Sequence, residues 1–455
     1  MTRRVPLFTL WVGLGLVARV AALHLWGTFD TEVQKAWSAR AVTTGVADIY
    51  GPPDRELIAA ASAPGGSVVA HLFTMRIPKT TFRWGSADYF VDYPPGTVLV
   101  LWGAGKLYAL VAPGLPNRPL FNAAINMAPL LASLVIALLL RRSAEAGLGQ
   151  RRALAFWLNP AVYLAAPVLG YQDPIFAALG LAAVIALMQG RYVRAAPLVA
   201  ASALVKPQGV LLLPVLAAVL LREARPRAWL LAALAGLAAA GVILLPWSSA
   251  GYLLSALDGS RRPLAQGTLA PLGLNVWWIA GYAMQWSRGA PFPLAEIVPI
   301  EAFRAWAGLD PRLAARLLVG AATAAGLWLL LRAPKEDRRM IPLAVILQVH
   351  AYALLATSVH ENHTFLAVAL APLLLGVWPY ATRLLLAVSA FLFASLYLAA
   401  GLGRRITTQS GLQALRMASG VDLTVLVAVA HVALVAVLLV WVARSSTGRV
   451  RSVAP

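Results

Sequence analysis

Apolar runs of roughly 20 residues recur from one end of this chain to the other, and no other feature limits its fold as strongly. Inside a bilayer the backbone finds no water, so each run must satisfy its own hydrogen bonds as a helix. The composition agrees. Of 455 residues, 60% are hydrophobic, and the mean hydropathy is +0.74, whereas soluble domains are roughly 45–50% apolar. The expected fold is an all-α polytopic membrane protein. Cysteine is absent, which excludes disulfides and cysteine-ligated metals. In a soluble protein the net charge of +20 would suggest nucleic acid. In a membrane chain it reads as topology signals and attraction to anionic lipid, so membrane lipids and no nucleic acid are the expected partners.

The N-terminal stretch MTRRVPLFTLWVGLGLVARVAALHLW has the basic flank and apolar centre of a signal peptide. Its apolar part is longer than the usual signal core and is interrupted by Arg19, so it reads as a first span with a cytoplasmic N-terminus. Basic turns at Arg141–Arg152, Arg191–Arg194, Arg222–Arg227 and Lys335–Arg339, with Arg444, Arg449 and Arg451, are placed inside by the positive-inside rule. Two large outer loops follow, 29–119 and 247–311. Of the 18 acids, all but Glu145, Glu223, Glu336 and Asp337 then lie at or beyond the outer face.

This orientation has consequences for two apolar runs. Between the first outer loop and Arg141 lie 96–111 and 120–140, and only one of them can cross. The first is shorter, follows Pro94-Pro95 and carries Lys106, so it is expected to be an interfacial or re-entrant helix. The run 195–221 has cytoplasmic signals at both ends and is interrupted by Lys206-Pro207-Gln208-Gly209. The preferred reading is a tight hairpin with that interruption at its outer tip, since irregular backbone at this depth must line a cavity. The rival reading, in which every run is a simple span, also ends with the C-terminus inside but puts Arg141, Arg151 and Arg191 outside. With spans at 153–170, 174–190, 228–246, 312–333, 340–359, 364–380, 383–402 and 423–443, the total is about twelve. The expected division places a catalytic module in 1–246 and a variable module in 247–455.

Four polar clusters fall on the outer side. Asp30 and Glu32 follow the first span in HLWGTFDTE. Asp92 and Tyr93 precede a double proline in VDYPPG. Gln172 and Asp173 end LNPAVYLAAPVLGYQD, and His360, Glu361 and His363 lie in TSVHENHTF. Each has a structural alternative: acids at helix ends are often solvated or face a neighbouring helix N-terminus, and Asp92 could cap a turn. The His-Glu-x-His spacing is not that of a zinc helix, and no metal site is expected. Together with Lys206 and Gln208, however, the clusters suit one site with two tasks. A carboxylate can take a proton from a hydroxyl, and a lysine with histidines can hold a phosphate leaving group. A phosphate-bearing lipid and a hydroxyl acceptor meeting at a membrane face describe lipid-linked glycosyl transfer with inversion.

The order of these motifs, an aspartate after the first helix followed by DYPP, NP…GYQD, KPQ, LNVWW and VHENH, resembles the GT-C superfamily. The likeness is greatest to the dolichyl-phosphate-glucose glucosyltransferases, with GPI-type mannosyltransferases and their bacterial relatives also similar. The resemblance runs from Asp30 to His363. It implies Asp30 as catalytic base, Lys206 with His360 and Glu361 near the donor phosphate, and a polyprenyl-phosphate hexose, mannose or glucose, as donor. A glycolipid or glycan would be the acceptor, with no metal or other cofactor. The chain departs from the glucosyltransferases at Asn362, where they tend to have lysine, and at Gly96, where leucine usually follows DYPP. Arg19 is left with three roles: snorkelling to a headgroup, contacting the phosphate or pairing with an acid. Asn275 and Trp277, in GLNVWWIAGYAMQW, belong either to an interfacial aromatic belt or to a sugar or lipid contact. The expected home is a prokaryotic cytoplasmic membrane, with the site facing outward.

Two other function classes fit parts of the pattern. A secondary transporter would use the broken hairpin at Lys206 as a substrate site, but no matching interruption or repeat occurs in the second half. A lipid-linked oligosaccharide ligase or oligosaccharyltransferase would share the fold. The latter uses an acid-bound metal and generally carries a soluble C-terminal domain.

Overall fold

The structure, a computed structural model, describes residues 7–51, 81–85, 87–261, 267–289, 295–400 and 422–447. Arg449 and Arg451, expected in the inner tail, lie outside these residues, as does part of each outer loop. Among the described residues five helices are long and apolar enough to cross a membrane: Pro119–Arg142, Pro226–Ser249, Pro311–Arg332, Ala381–Ala399 and Leu423–Ser446. Three of them begin with proline, whose missing N–H costs nothing in the first turn. The central helices are shorter. Met340–Leu355 has 16 residues, almost all buried, and spans about 24 Å, less than the roughly 30 Å hydrocarbon core. It meets little lipid, so its length need not match the bilayer.

The basic turns gather at one end of the bundle. The Arg152 guanidinium donates to the Leu375 carbonyl at 2.9 and 3.2 Å, and Arg222 donates to Leu330 O at 2.8 Å. Arg338 pairs with Glu223, Arg339 donates to Val377 O at 3.1 Å, and Trp378 Nε1 donates to Ser445 Oγ at 3.1 Å. Arg141 lies 4.8 Å over the Phe8 ring, which places the start of Leu7–Ala22 there too. The other end holds the turn after that helix, the segment Leu169–Asp173, the Lys206 tip and the 356–364 loop.

Between these ends the chain passes through Leu7–Ala22, Pro119–Arg142, the segment from Ala146 to Val168, Asp173–Met188, Tyr192–Val205 and Leu212–Glu223. It continues through Pro226–Ser249, Pro311–Arg332, Met340–Leu355, Phe365–Leu374, Ala381–Ala400 and Leu423–Ser446. This matches the number of passes expected from the sequence. The hairpin is as expected: Tyr192–Val205 and Leu212–Glu223 are joined at their feet by a 2.9 Å hydrogen bond from the Tyr192 hydroxyl to Glu223 Oε2. At the tip Pro207–Leu211 forms a 3-10 turn.

Several expected bounds need correction. The span placed at 153–170 starts at Ala146 and is broken after Trp157. Asn159 caps a new turn by accepting from Ala161 N at 3.0 Å, and Leu164–Val168, which contains Pro167, is wound as a π-helix. The span placed at 364–380 is helical only over Phe365–Leu370, followed by a 3-10 turn at Ala371–Leu374 that contains Pro372. The all-α expectation misses one small element. Thr81–Trp84 and Ala87–Phe90 form an antiparallel hairpin in the first outer loop. There Phe82 and Tyr89 are paired across the strands and both buried.

Pro95–Val111 remains at the end opposite the basic turns. It packs along the loop helix Phe29–Thr44, where the Ser38 hydroxyl donates to Leu101 O at 2.7 Å. It leaves Leu107, Leu110 and Val111 exposed, the pattern of a helix lying in an interface. Its N-terminus abuts the hairpin tip: the Thr97 hydroxyl donates to Val205 O at 2.5 Å, and a Cβ on Gly96 would lie 2.7 Å from Leu204 O. This contact gives a physical reason for glycine at the position where the resembling enzymes carry leucine. Gly96→Leu is expected to push this helix off the tip and lower stability by about 1–3 kcal/mol, the range for overpacking. Thermal unfolding of the purified variant measures it.

Candidate functional site

The site is assembled by a clamp between two turns. After Leu7–Ala22 the chain turns through residues 23–28, held by Asn122, which donates to Leu25 O at 3.2 Å, and by Asn126, which donates to Leu23 O at 3.3 Å. Thr28 N donates to Leu169 O at 3.1 Å. Gly27 and Gly170 both have left-handed φ, +66° and +75°. A Cβ on either would lie 2.2 or 2.4 Å from the Thr31 hydroxyl. Thr31 thus fits between two glycines, which sets the first turn of the loop helix against Tyr171, Gln172 and Asp173. Gln172 Nε2 donates to Gln34 Oε1 at 2.9 Å and completes the join.

Asp30, Val33, Gln34 and Trp37 line a cleft of about 110 Å³ at this end of the bundle. Their spacing of three, four and seven residues puts them on one helix face. Asp92 and Tyr93 line a second wall, with Tyr89 and Phe90 from the small sheet. Tyr93 packs against Trp37 with ring centroids 5.3 Å apart, while Trp37 Nε1 donates to Phe90 O at 2.9 Å. The hairpin tip contributes Lys206 and Gln208, and the 356–364 loop contributes His360 to His363.

Lys206 has a protein counter-ion. Its Nζ lies 2.8 Å from Asp173 Oδ1, with both side chains almost fully buried, and Asn362 Nδ2 donates to Asp173 Oδ2 at 3.0 Å. The sequence led us to expect lipid phosphate as the negative group that makes a buried lysine tolerable, but in the fold that group is Asp173. An ammonium has three N–H donors, so pairing with one carboxylate oxygen does not exhaust Lys206, which also faces the cleft. Asp173 and Gln172 stand behind the lining and fix it.

Glu361 accepts a short hydrogen bond from the Tyr171 hydroxyl. Burial, then the Glu361 charge, holds the Tyr171 phenol well above its usual range, so it stays protonated and donates. Burial also raises the Glu361 carboxyl, against the Tyr171 hydrogen bond. His363 Nε2 lies 2.7 Å from Gln208 Nε2. This contact ties the hairpin tip to the 356–364 loop. Burial lowers His363 well below the usual range and His360 to about 4, although Asp30 pulls the latter upward. Both rings are therefore neutral near pH 7, and Lys206 is the one lysine or arginine among the described residues of the lining. Asp30 is raised by burial and by Glu361, while His360 and Lys206 oppose this.

Other expected site residues lie apart from the cleft. Arg19, for which contact with the donor phosphate was one of three expected roles, is 2% exposed, donates to Trp157 O at 2.5 Å and lies 4.0 Å over the Trp157 ring. Its planar cation packs between helices, on a carbonyl and a ring, so the phosphate role is corrected: Arg19 does not line the cleft. Glu32 turns aside to Lys35 at 2.8 Å and accepts from Asn117 at 3.0 Å, tying the loop helix to the start of Pro119–Arg142. Asn275 and Trp277 are buried and form neither an aromatic belt nor part of the cleft lining. Asn275 caps Val276–Ser287 and donates to Ala353 O and Ala356 O at 3.2 and 3.0 Å. Trp277 Nε1 donates to Leu355 O at 2.7 Å. They brace the loop that carries His360 to His363.

Sequence reasoning missed Gln34, Trp37, Tyr89, Phe90 and Tyr171. Gln34 and Trp37 could have been found by continuing the helical spacing from Asp30, and Tyr171 adjoins Gln172 and Asp173. Tyr89 and Phe90 depend on an unanticipated strand. Among the described residues no group of three histidines, aspartates or glutamates is arranged to share a metal ion.

These features define a multi-pass helical membrane protein with a buried polar cleft at the end opposite its basic turns. No protein-family model and no curated protein matches the chain. It is similar to two solved structures of one protein, ArnT from Cupriavidus metallidurans. The form bound to undecaprenyl phosphate is 16% identical with a TM-score of 0.48, and the match covers 97% of this chain and 77% of that one. The apo form has the same identity and coverage with a TM-score of 0.45.

Proposed function

We propose that this protein is an inverting membrane glycosyltransferase of the GT-C type, moving a sugar from a polyprenyl-phosphate donor to a hydroxyl of a glycolipid or glycan. The observation that carries the proposal is the convergence of Asp30, Lys206 and the His360–His363 loop, distant in sequence, on one cleft. Asp30 takes the acceptor proton as the hydroxyl oxygen attacks the anomeric carbon. The bond from that carbon to the phosphate oxygen breaks, and the electron pair leaves with the phosphate. Lys206 supplies positive charge to the leaving group, while the neutral histidines act through hydrogen bonds. Asp92, Tyr93 and Gln208 face the sugar and its phosphate, and Glu361, held by Tyr171, supplies an acceptor for sugar hydroxyls. Hexose donors, mannose or glucose, remain our first choice. We place the cleft on the extracytoplasmic side of a prokaryotic inner membrane because the basic turns occupy the other end.

The test is transfer by purified protein from polyprenyl-phosphate mannose and polyprenyl-phosphate glucose, in parallel, to a mixed glycolipid pool with a metal chelator present. Labelled glycolipid from one donor, at a rate unchanged by chelator, is expected. Uptake of unaltered substrate into empty proteoliposomes, without transfer, would refute the assignment.

A further inference from the structure

At the basic end, the feet of the hairpin and the start of Pro226–Ser249 enclose a groove of about 590 Å³. Arg191, Arg194, Arg225 and Arg227 line it, all four exposed. The acid among its described lining residues, Glu223, is already engaged: it pairs with Arg222 and Arg338 and accepts from the Tyr192 hydroxyl at 2.9 Å. The groove therefore presents four guanidinium groups and a carboxylate whose charge is met elsewhere. Two helices also begin at it, with Arg191 and Arg225 as N-cap residues that give no side-chain cap bond. The positive ends of both helix dipoles add to its potential.

One wall is apolar. Val193 and Leu231 line the groove and are 38% and 42% exposed. The apolar surface continues along Pro226–Ser249 through Leu234 and Leu237. That helix buries only Ala232 and Trp247, so this flank faces hydrocarbon. A guanidinium cluster above a lipid-facing apolar wall suits an amphiphile with a phosphodiester head and acyl chains. A free phosphate would leave the wall unused. Orientation of the chain needs only enough arginines near the span ends; it does not require four of them to converge on one groove.

We propose that this groove is a binding site for the headgroup of an anionic phospholipid, separate from the cleft at the other end. The test uses the full-length protein in neutral detergent, with bound lipid counted by native mass spectrometry. It is titrated with phosphatidylglycerol, phosphatidylcholine or inorganic phosphate. Wild type is expected to retain phosphatidylglycerol at least about tenfold more tightly than phosphatidylcholine. Arg191→Gln/Arg194→Gln/Arg225→Gln/Arg227→Gln is expected to lose that preference. Arg142→Gln/Arg151→Gln, at the same end but outside the groove, is expected to keep it. If the fourfold variant fails to fold, Arg225→Gln/Arg227→Gln gives the same readout. Unchanged retention in the groove variant, or equal loss in the control, would overturn the proposal. Displacement of phosphatidylglycerol by millimolar phosphate would overturn the lipid assignment in favour of a free-anion site.

Discussion

Asp30→Asn is expected to lower sugar transfer by about 10²–10⁴-fold, the usual contribution of a positioned general base, while donor binding and folding are retained. Asparagine keeps the shape of the side chain and removes its basicity. The main contacts that seat this turn are made by Thr28, Thr31 and Gln34, so the loop helix remains in place. Asp30 must be deprotonated to act, and burial raises its pKa. Activity should therefore fall as pH drops through a value above the ~4 of an ordinary aspartate. Glu361→Gln removes a charge that raises Asp30 and should move this acid limb to lower pH. Rates of transfer across pH for wild type and both variants check the whole set. Full turnover by Asp30→Asn would remove Asp30 as the base.

The second large effect is expected at Lys206. Lys206→Met leaves Asp173 as a buried carboxylate without its cation, and breaking such a pair typically costs about 3–5 kcal/mol. Thermal unfolding should show this loss directly. Removing both charges is far less costly than removing one, so Lys206→Met/Asp173→Asn should recover most of the stability. Transfer should stay low in the double variant, because the proposed role of Lys206 at the departing phosphate is still missing. A double variant that recovers turnover together with stability would make Lys206 a structural residue only.

The hairpin and the surface helix were legible because they rest on constraints visible in one dimension. Arg191 and Arg222 at both ends of a run interrupted by Lys206-Pro207 favour a hairpin over a single span, and the run following Pro94-Pro95 cannot cross if Arg141 is inside. That Asp30, Lys206 and His360 would share one polar cleft was legible for a similar reason: polar groups at the end of an apolar span need a partner. What pairs with what was not legible. For Arg19 a headgroup, the donor phosphate and an acid were all open as partners in the sequence, yet its partner is a carbonyl 138 residues away.

By itself, therefore, the sequence determined the helical class, the passes of the bundle and the residues crowded at the end opposite the basic turns. Those follow from hydrophobic burial and from the cost of charge in lipid, which act on each segment separately. Tertiary structure alone decided that Asp173 answers Lys206, that both cleft histidines are neutral, and that Asn275 and Trp277 brace a loop instead of touching the cleft. Hydrogen bonding and desolvation depend on distances between segments far apart in the chain, and folding sets those distances.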